Sequence, residues 1–222
     1  VSASGGIGST VTTEPGIYVE PKFSPKGNNI VFRRLTGGYL LSPEWSLEPG
    51  IYLADRKAKT MEKVTEDGFN AHFAADEDRL YFTSYAPESK YTELELYSVD
   101  LKGRDERTLL KGDKVTEYQL SPDGKWIGYT HQNNAFVAPF LSTGLQQELD
   151  IEDSGLPVAQ VSKRAGEYLN WSADSSRRSW SHGASVCSRE LNQAFSLLAG
   201  APDELPEPVS EGLNLGFAQP SD

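Results

Sequence analysis

Residues 118–130 read YQLSPDGKWIGYT. An apolar run meets Ser-Pro-Asp-Gly and resumes as a second apolar run. Pro122 pre-sets φ for the first corner of a turn, and Gly124 supplies the positive φ that follows. The flanks alternate apolar and polar, as strands with two different faces do. The stretch is predicted as one β-hairpin.

The hairpin recurs along the chain. PKFSPKGNNIVF begins at Pro21, AHFAADEDRLYF at Ala71 and LNWSADSSRRSW at Leu169. Aligned on Ser24, Ala74, Ser121 and Ser172, the copies are 50, 47 and 51 residues apart, a period that marks a repeat architecture. A second block follows at a fixed offset: Ile30/Phe32, Leu80/Phe82, Ile127/Tyr129 and Arg178/Trp180. Copies two and four lack the turn glycine, so their turns are expected to be looser or differently built. Third strands are predicted at 50–55, 94–100, 134–139 and 184–190, and fourth strands at 61–67, 106–112, 158–163 and 207–212. Only LNQAFSLLAG at 191–200 suggests helix.

Four antiparallel strands per period describe a propeller blade. The expected fold is all-β: one partial β-propeller segment with blades near 19–68, 69–112, 115–166 and 167–212. An outer strand at 10–16 (TVTTEPG) precedes them, and an extra inner strand at 213–217 (LNLGF) follows. Unmatched strands at both ends predict an open array, a piece of a propeller of roughly six or seven blades. Its end faces are expected to be apolar and its strand edges open, so a homodimer through the ends is the expected association.

SPKG at 24–27, SPDG at 121–124 and the weaker SADS at 172–175 resemble the SPDG-type (WD40-like) repeats of TolB and its relatives, over essentially the whole chain. The tail ELPEPVSEGLNLGFAQPSD and the block EYLNWSADS resemble the passage from a propeller into a metal-dependent amidohydrolase domain, in bacterial proteins carrying both. That resemblance implies a periplasmic or extracellular multidomain hydrolase whose catalytic half lies beyond Asp222. Arg178 departs from the apolar residues of the other copies. The stretch SSRRSWSHGASVCS around it is expected to be irregular or poorly packed.

The chemistry of the sequence is sparse. A net charge of −11 argues against nucleic acid, because nothing neutralises phosphates. No run is long enough and apolar enough to cross a bilayer as a helix. The one cysteine, Cys187, forms no internal disulfide and reads as a buried thiol. His72, His131 and His182 form no His-x-His pair, and no HExxH, calcium loop, GxSxG elbow or lysine-bearing phosphate loop occurs. No metal, cofactor or catalytic residue is therefore expected.

One face gathers candidates for contact. Arg34, Ser84, His131 and His182 each lie two residues after Phe32, Phe82, Tyr129 and Trp180, so all four leave the second strand at the same height. Insertions at 34–49 and 85–93 add Tyr39, Trp45, Tyr85 and Tyr91 to that face. Aromatics on loops of a rigid scaffold are contact candidates. The bland reading is that strand-end polar groups meet water and loop aromatics pack their own loop. Three functions fit: a non-catalytic scaffold for a neighbouring hydrolase domain or partner protein, a TolB-like protein- or peptide-binding module, and the propeller of a prolyl-oligopeptidase-type peptidase.

Overall fold

The structure, a computed structural model, describes residues 4–12, 14–35, 48–57, 59–89, 93–149 and 155–214. The chain is a β-propeller of four blades. Blade one is β1 (Ile17–Phe23), β2 (Asn29–Leu35), β3 (Gly50–Asp55) and β4 (Thr60–Thr65). Blade two is β5 (Phe69–His72), β6 (Arg79–Tyr85), β7 (Leu94–Asp100) and β8 (Arg107–Lys111). Blade three holds β9 (Val115–Leu120), β10 (Trp126–His131), β11 (Asn134–Pro139) and, after the two-residue β12 (Gln147–Glu148), β13 (Ala159–Gln160). Blade four is β14 (Glu167–Trp171), β15 (Arg177–His182), β16 (Ser185–Glu190) and β17 (Leu213–Asn214). Within each blade the strands pair antiparallel in chain order, and β12 leaves blade three to add a parallel strand outside β8. The helix suggested at 191–200 is one 3-10 turn, Leu191–Gln193.

The turns follow from the sequence. In SPKG and SPDG the glycine N–H donates to the serine carbonyl, with φ of +69° at Gly27 and +70° at Gly124. Copy four builds the same turn without glycine. Ser175 takes φ +62° and donates its N–H to Ser172 O, while the Asp174 carboxylate accepts from the Ser172 and Ser176 side chains. Those bonds hold Asp174 at a pKa of about 2. The fourth turn is therefore not looser.

The residue after the first turn corner ties neighbouring blades together. The Lys26 N–H donates to Glu77 of blade two at 2.8 Å, and the Asp123 N–H to the Ser175 hydroxyl of blade four at 3.0 Å. Glu77 and Ser175 stand where copy three has Gly124. Copies two and four thus use the missing glycine's place to hold the preceding blade.

The core lies between blades. Val31, Leu80, Phe82 and Val99 fill the space between blades one and two; Leu96, Leu110, Tyr118 and Ile127 fill that between two and three; Val137, Leu169, Trp180 and Cys187 fill that between three and four. Each fully buried aliphatic side chain contributes about 1.5–3 kcal/mol.

Three strand-level expectations need correction. No described residue of 10–16 is in a strand. Val11 instead packs on the outward face of blade one, over Ile30, Phe32, Tyr52 and Ala54, and Arg34 holds Glu14 and Pro15. Residues 213–214 are not a first strand but the outer strand of blade four, pairing Leu213 with Val186. The expected strand at 207–212 is diverted: Val209 bridges Ser162 at the edge of blade three, with Val209 N–H donating to Val161 O and Lys163 N–H to Val209 O.

The end faces also differ from expectation. Blade one's outward face is apolar but covered. Blade four's outward rows are Glu167–Ser181–Val186–Leu213 and Asn170–Ser179–Ser188, mostly hydroxyl and charge. The run around Arg178 is regular: β15 and β16 pair without a break from Arg177↔Glu190 to His182↔Ser185.

Candidate functional site

Arg34, Ser84, His131 and His182 all sit at the C-terminal end of a second strand, β2, β6, β10 and β15. Their surroundings differ. Arg34 is 7% exposed; its guanidinium pairs with Glu14 at 2.8 Å and lies 5.9 Å from the ring centroids of Tyr18 and Tyr52. It fastens the N-terminal stretch. His131 meets the Phe136 ring edge-on at 5.9 Å, and His182 faces Ser185 across the hairpin. Ser84 and Tyr85 line an open groove, with the Tyr85 ring 6.2 Å from Phe69. Tyr39, Trp45 and Tyr91 lie outside the described residues.

The groove runs between blades one and two and has a volume of about 920 Å³. Its floor is Val64, Phe69, Phe82 and Tyr97; its rim carries Arg33, Glu66, Asp67 and Glu106. Arg33 pairs with Glu20 at 3.4 Å and stands 5.7 Å over the Phe69 ring. The sequence reading chose Arg34 and missed Arg33. Strand alternation could have found it: Phe32 and Arg34 point outward from blade one, so Arg33 points toward blade two.

A second cluster of ionisable groups lies on the inner strands, buried rather than open. His72 is 5% exposed. Its Nδ1 donates to Asn70 O at 2.8 Å, and its Nε2 accepts the Leu120 N–H of blade three at 3.0 Å. Burial lowers its pKa to about 4, with Lys22 and Arg178 acting in the same direction. Arg178 is fully buried between blades three and four. Its Nη1 donates to Gln119 Oε1 at 2.9 Å, and its guanidinium lies 4.6 Å from the centroid of Trp171. Nε and Nη2 have no hydrogen-bond acceptor among the described residues. Burial pulls its pKa down to about 9, opposed by Glu117, so it stays cationic at neutral pH. Glu117 is pushed up by burial and pulled back by Arg178, and it accepts the Leu169 N–H at 3.4 Å. Among the described residues no group of three His, Cys, Asp or Glu side chains is placed to hold a metal ion.

No protein-family model matches the sequence, and no curated protein does. Solved structures match it in fold. The β-propeller domain of the Trilobed protease from Pyrococcus furiosus is 11% identical with a TM-score of 0.47, over 74% of this chain and 47% of that one. An acylaminoacyl peptidase from Pyrococcus horikoshii is 14% identical with a TM-score of 0.47, over 73% and 28%. The hydrazine synthase of Kuenenia stuttgartiensis is 12% identical with a TM-score of 0.48, over 82% and 55%. The chain spans 28–55% of the length of these three proteins. Likeness at this identity concerns the fold alone.

Proposed function

We propose that the chain is a non-catalytic propeller segment of an extracytoplasmic, amidohydrolase-like multidomain protein, and that its strand-end face docks the neighbouring hydrolase domain or a partner protein. The observation that carries the docking role is the open groove, whose floor of Val64, Phe69, Phe82 and Tyr97 stands on four strands and whose lining includes Ser84 and Tyr85. The tail resemblance supports the choice of neighbour.

Two measurements test this reading. The coding sequence beyond Asp222 is expected to specify a metal-dependent hydrolase domain. A stop there favours a TolB-like binding module, and a GxSxG-bearing domain favours a peptidase propeller. The isolated chain is expected to leave amide and ester substrates intact, with or without zinc. Turnover that follows the chain through purification refutes the non-catalytic role.

A further inference from the structure

The outer edges of the blades are not treated alike. Blade two's edge strand β8 is covered by a strap from the β11–β13 connection, whose described residues are 140–149 and 155–158. Gln147 and Glu148 pair with Leu110 and Lys111, and the Leu149 N–H donates to Lys111 O at 2.8 Å. Leu149 enters the core between blades two and three and is 6% exposed. Blade three's edge is covered in the same way by the β16–β17 connection, residues 191–212, where Val209 pairs parallel with Ser162 and packs on the core between blades three and four. Each strap comes from the following blade, pairs parallel with the edge over one or two residues and seats an aliphatic side chain, Leu149 or Val209, on the core beside that pairing.

Blade one lacks this strap. The connection that should supply it, 101–106 between β7 and β8, is a short hairpin whose Gly103 lies against the Val64 carbonyl. β4 is the last strand of its sheet, and no described strand pairs with its outer side. Thr65 pairs with Ile51 as Leu110 pairs with Leu96, so Thr65 and Glu66 hold the places that Leu110 and Lys111 hold in blade two. The groove opens at that point, lined by Thr65, Glu66 and Asp67 along the edge and by Val64, Phe82 and Tyr97 beneath.

We propose that an extended peptide, carrying an aliphatic side chain between basic ones, adds as a short parallel strand at the end of β4, along Thr65 and Glu66, and seats its aliphatic group in the groove, where Leu149 and Val209 sit in the two strapped blades. The next residue, Asp67, has its N–H and C=O held by the Thr65 hydroxyl. Strand addition at an exposed edge takes affinity from main-chain bonds and specificity from alternate side chains. The basic character follows from Glu66, Asp67 and Glu106 in the lining, where Arg33 is the one cation among the described lining residues and is paired with Glu20; Lys63 stands 3.6 Å from Glu66. A strap of a second copy is disfavoured there, because LQQELD and EPVSEG are themselves acidic. The proposal shares with the scaffold reading only that this face docks a partner. Its experiment uses the isolated chain and peptides, so either idea can fail alone.

The probes are two labelled peptides: GLQQELD, the strap sequence 144–150, and GLQQKLK, the same peptide with both acids changed to lysine. Fluorescence anisotropy is expected to show saturable binding of GLQQKLK, at least about tenfold tighter than GLQQELD. Glu66→Lys, at a side chain 87% exposed, is expected to lower GLQQKLK affinity about tenfold without unfolding the chain. Amide exchange over 64–67 is expected to slow when GLQQKLK binds. Equal affinity for the two peptides, indifference to Glu66→Lys, unchanged exchange in β4 or no saturable binding overturns the proposal. Self-association through β4 that Glu66→Lys alters, with no preference for the basic peptide, overturns it in favour of a second copy.

Discussion

The interface between blades two and three and the interface between blades three and four are the same construction filled in opposite ways. In each, the second strand of the later blade turns alternate residues toward the earlier blade: Ile127 and Tyr129 in the first interface, Arg178 and Trp180 in the second. The first of each pair differs in kind. Across from Ile127 stands Tyr81, packed on a hydrocarbon core. Across from Arg178 stands Gly128, and the guanidinium lies over its Cα. Each interface also carries one buried group bonded to the neighbouring inner strand: His72 to Leu120 in one, Arg178 to Gln119 in the other. A blade position thus specifies where a side chain goes and not what it must be, provided the facing blade changes with it.

The largest test of this comparison is Arg178 itself. Arg178→Ala leaves a void beside Trp171 and strips Glu117 and Gln119 of their cation. It is expected to cost about 3–5 kcal/mol, read from urea midpoints. Arg178→Leu restores the residue type of the other blades. Its cost is expected to be under half of that, because apolar replacement of a buried charge is often neutral. Glu117 tolerates the change, since burial already favours its protonated form. If leucine costs as much as alanine, the charge and not the volume holds the interface, and the two interfaces are not interchangeable.

Much of this frame was legible before the structure. The period-two alternation around SPKG and SPDG placed the strands, because a hairpin is encoded within a dozen residues. The ends were not legible. LNLGF looks like a first strand, but its start pairs as a last one, because Val209 has already been drawn to the edge of blade three. That pairing is set by a neighbour distant in sequence. The groove was half legible. Ser84 and Tyr85 follow from repeat register, whereas Arg33 and the edge of β4 matter only once blade one is seen to lack a strap. Arg178 stands out in the sequence as an exception, and its run reads as irregular or poorly packed, because Gly128, the residue that admits it, lies 50 positions away in another blade.

The next test is pH. His72 is held at a pKa of about 4, below its ordinary 6.5, by burial. Between those values the unfolded chain binds the proton and the folded chain does not. Stability is therefore full above pH 6.5 and falls as pH drops toward 4, by roughly 3 kcal/mol across the window. Glu117, whose pKa is raised, acts in the opposite direction. The readout is therefore the difference between the native chain and His72→Gln, in chemical melts from pH 7 to 4. The variant is expected to lose less stability on acidification. Identical pH profiles mean that His72 is not the proton-linked tie between blades two and three.

The smallest expected effect is the most pointed test of the comparison. A Cβ added at Gly128 would lie 2.5 Å from Arg178 Cζ and 2.6 Å from Nη2. The guanidinium cannot retreat, because Trp171 backs it at 4.6 Å and Gln119 holds Nη1. Gly128→Ala is therefore expected to cost about 1–3 kcal/mol, as overpacking does. The backbone does not itself require glycine here, since Gly128 is not among the positive-φ residues and β10 pairs on both sides in ordinary register at this point. In an Arg178→Leu background the facing side chain is shorter and ends before the glycine. Alanine should then be tolerated, giving a coupling of about 0.5–3 kcal/mol in a double-mutant cycle. Additive costs would mean that Gly128 serves the backbone of blade three, and that Arg178 and its missing partner side chain are not a matched pair.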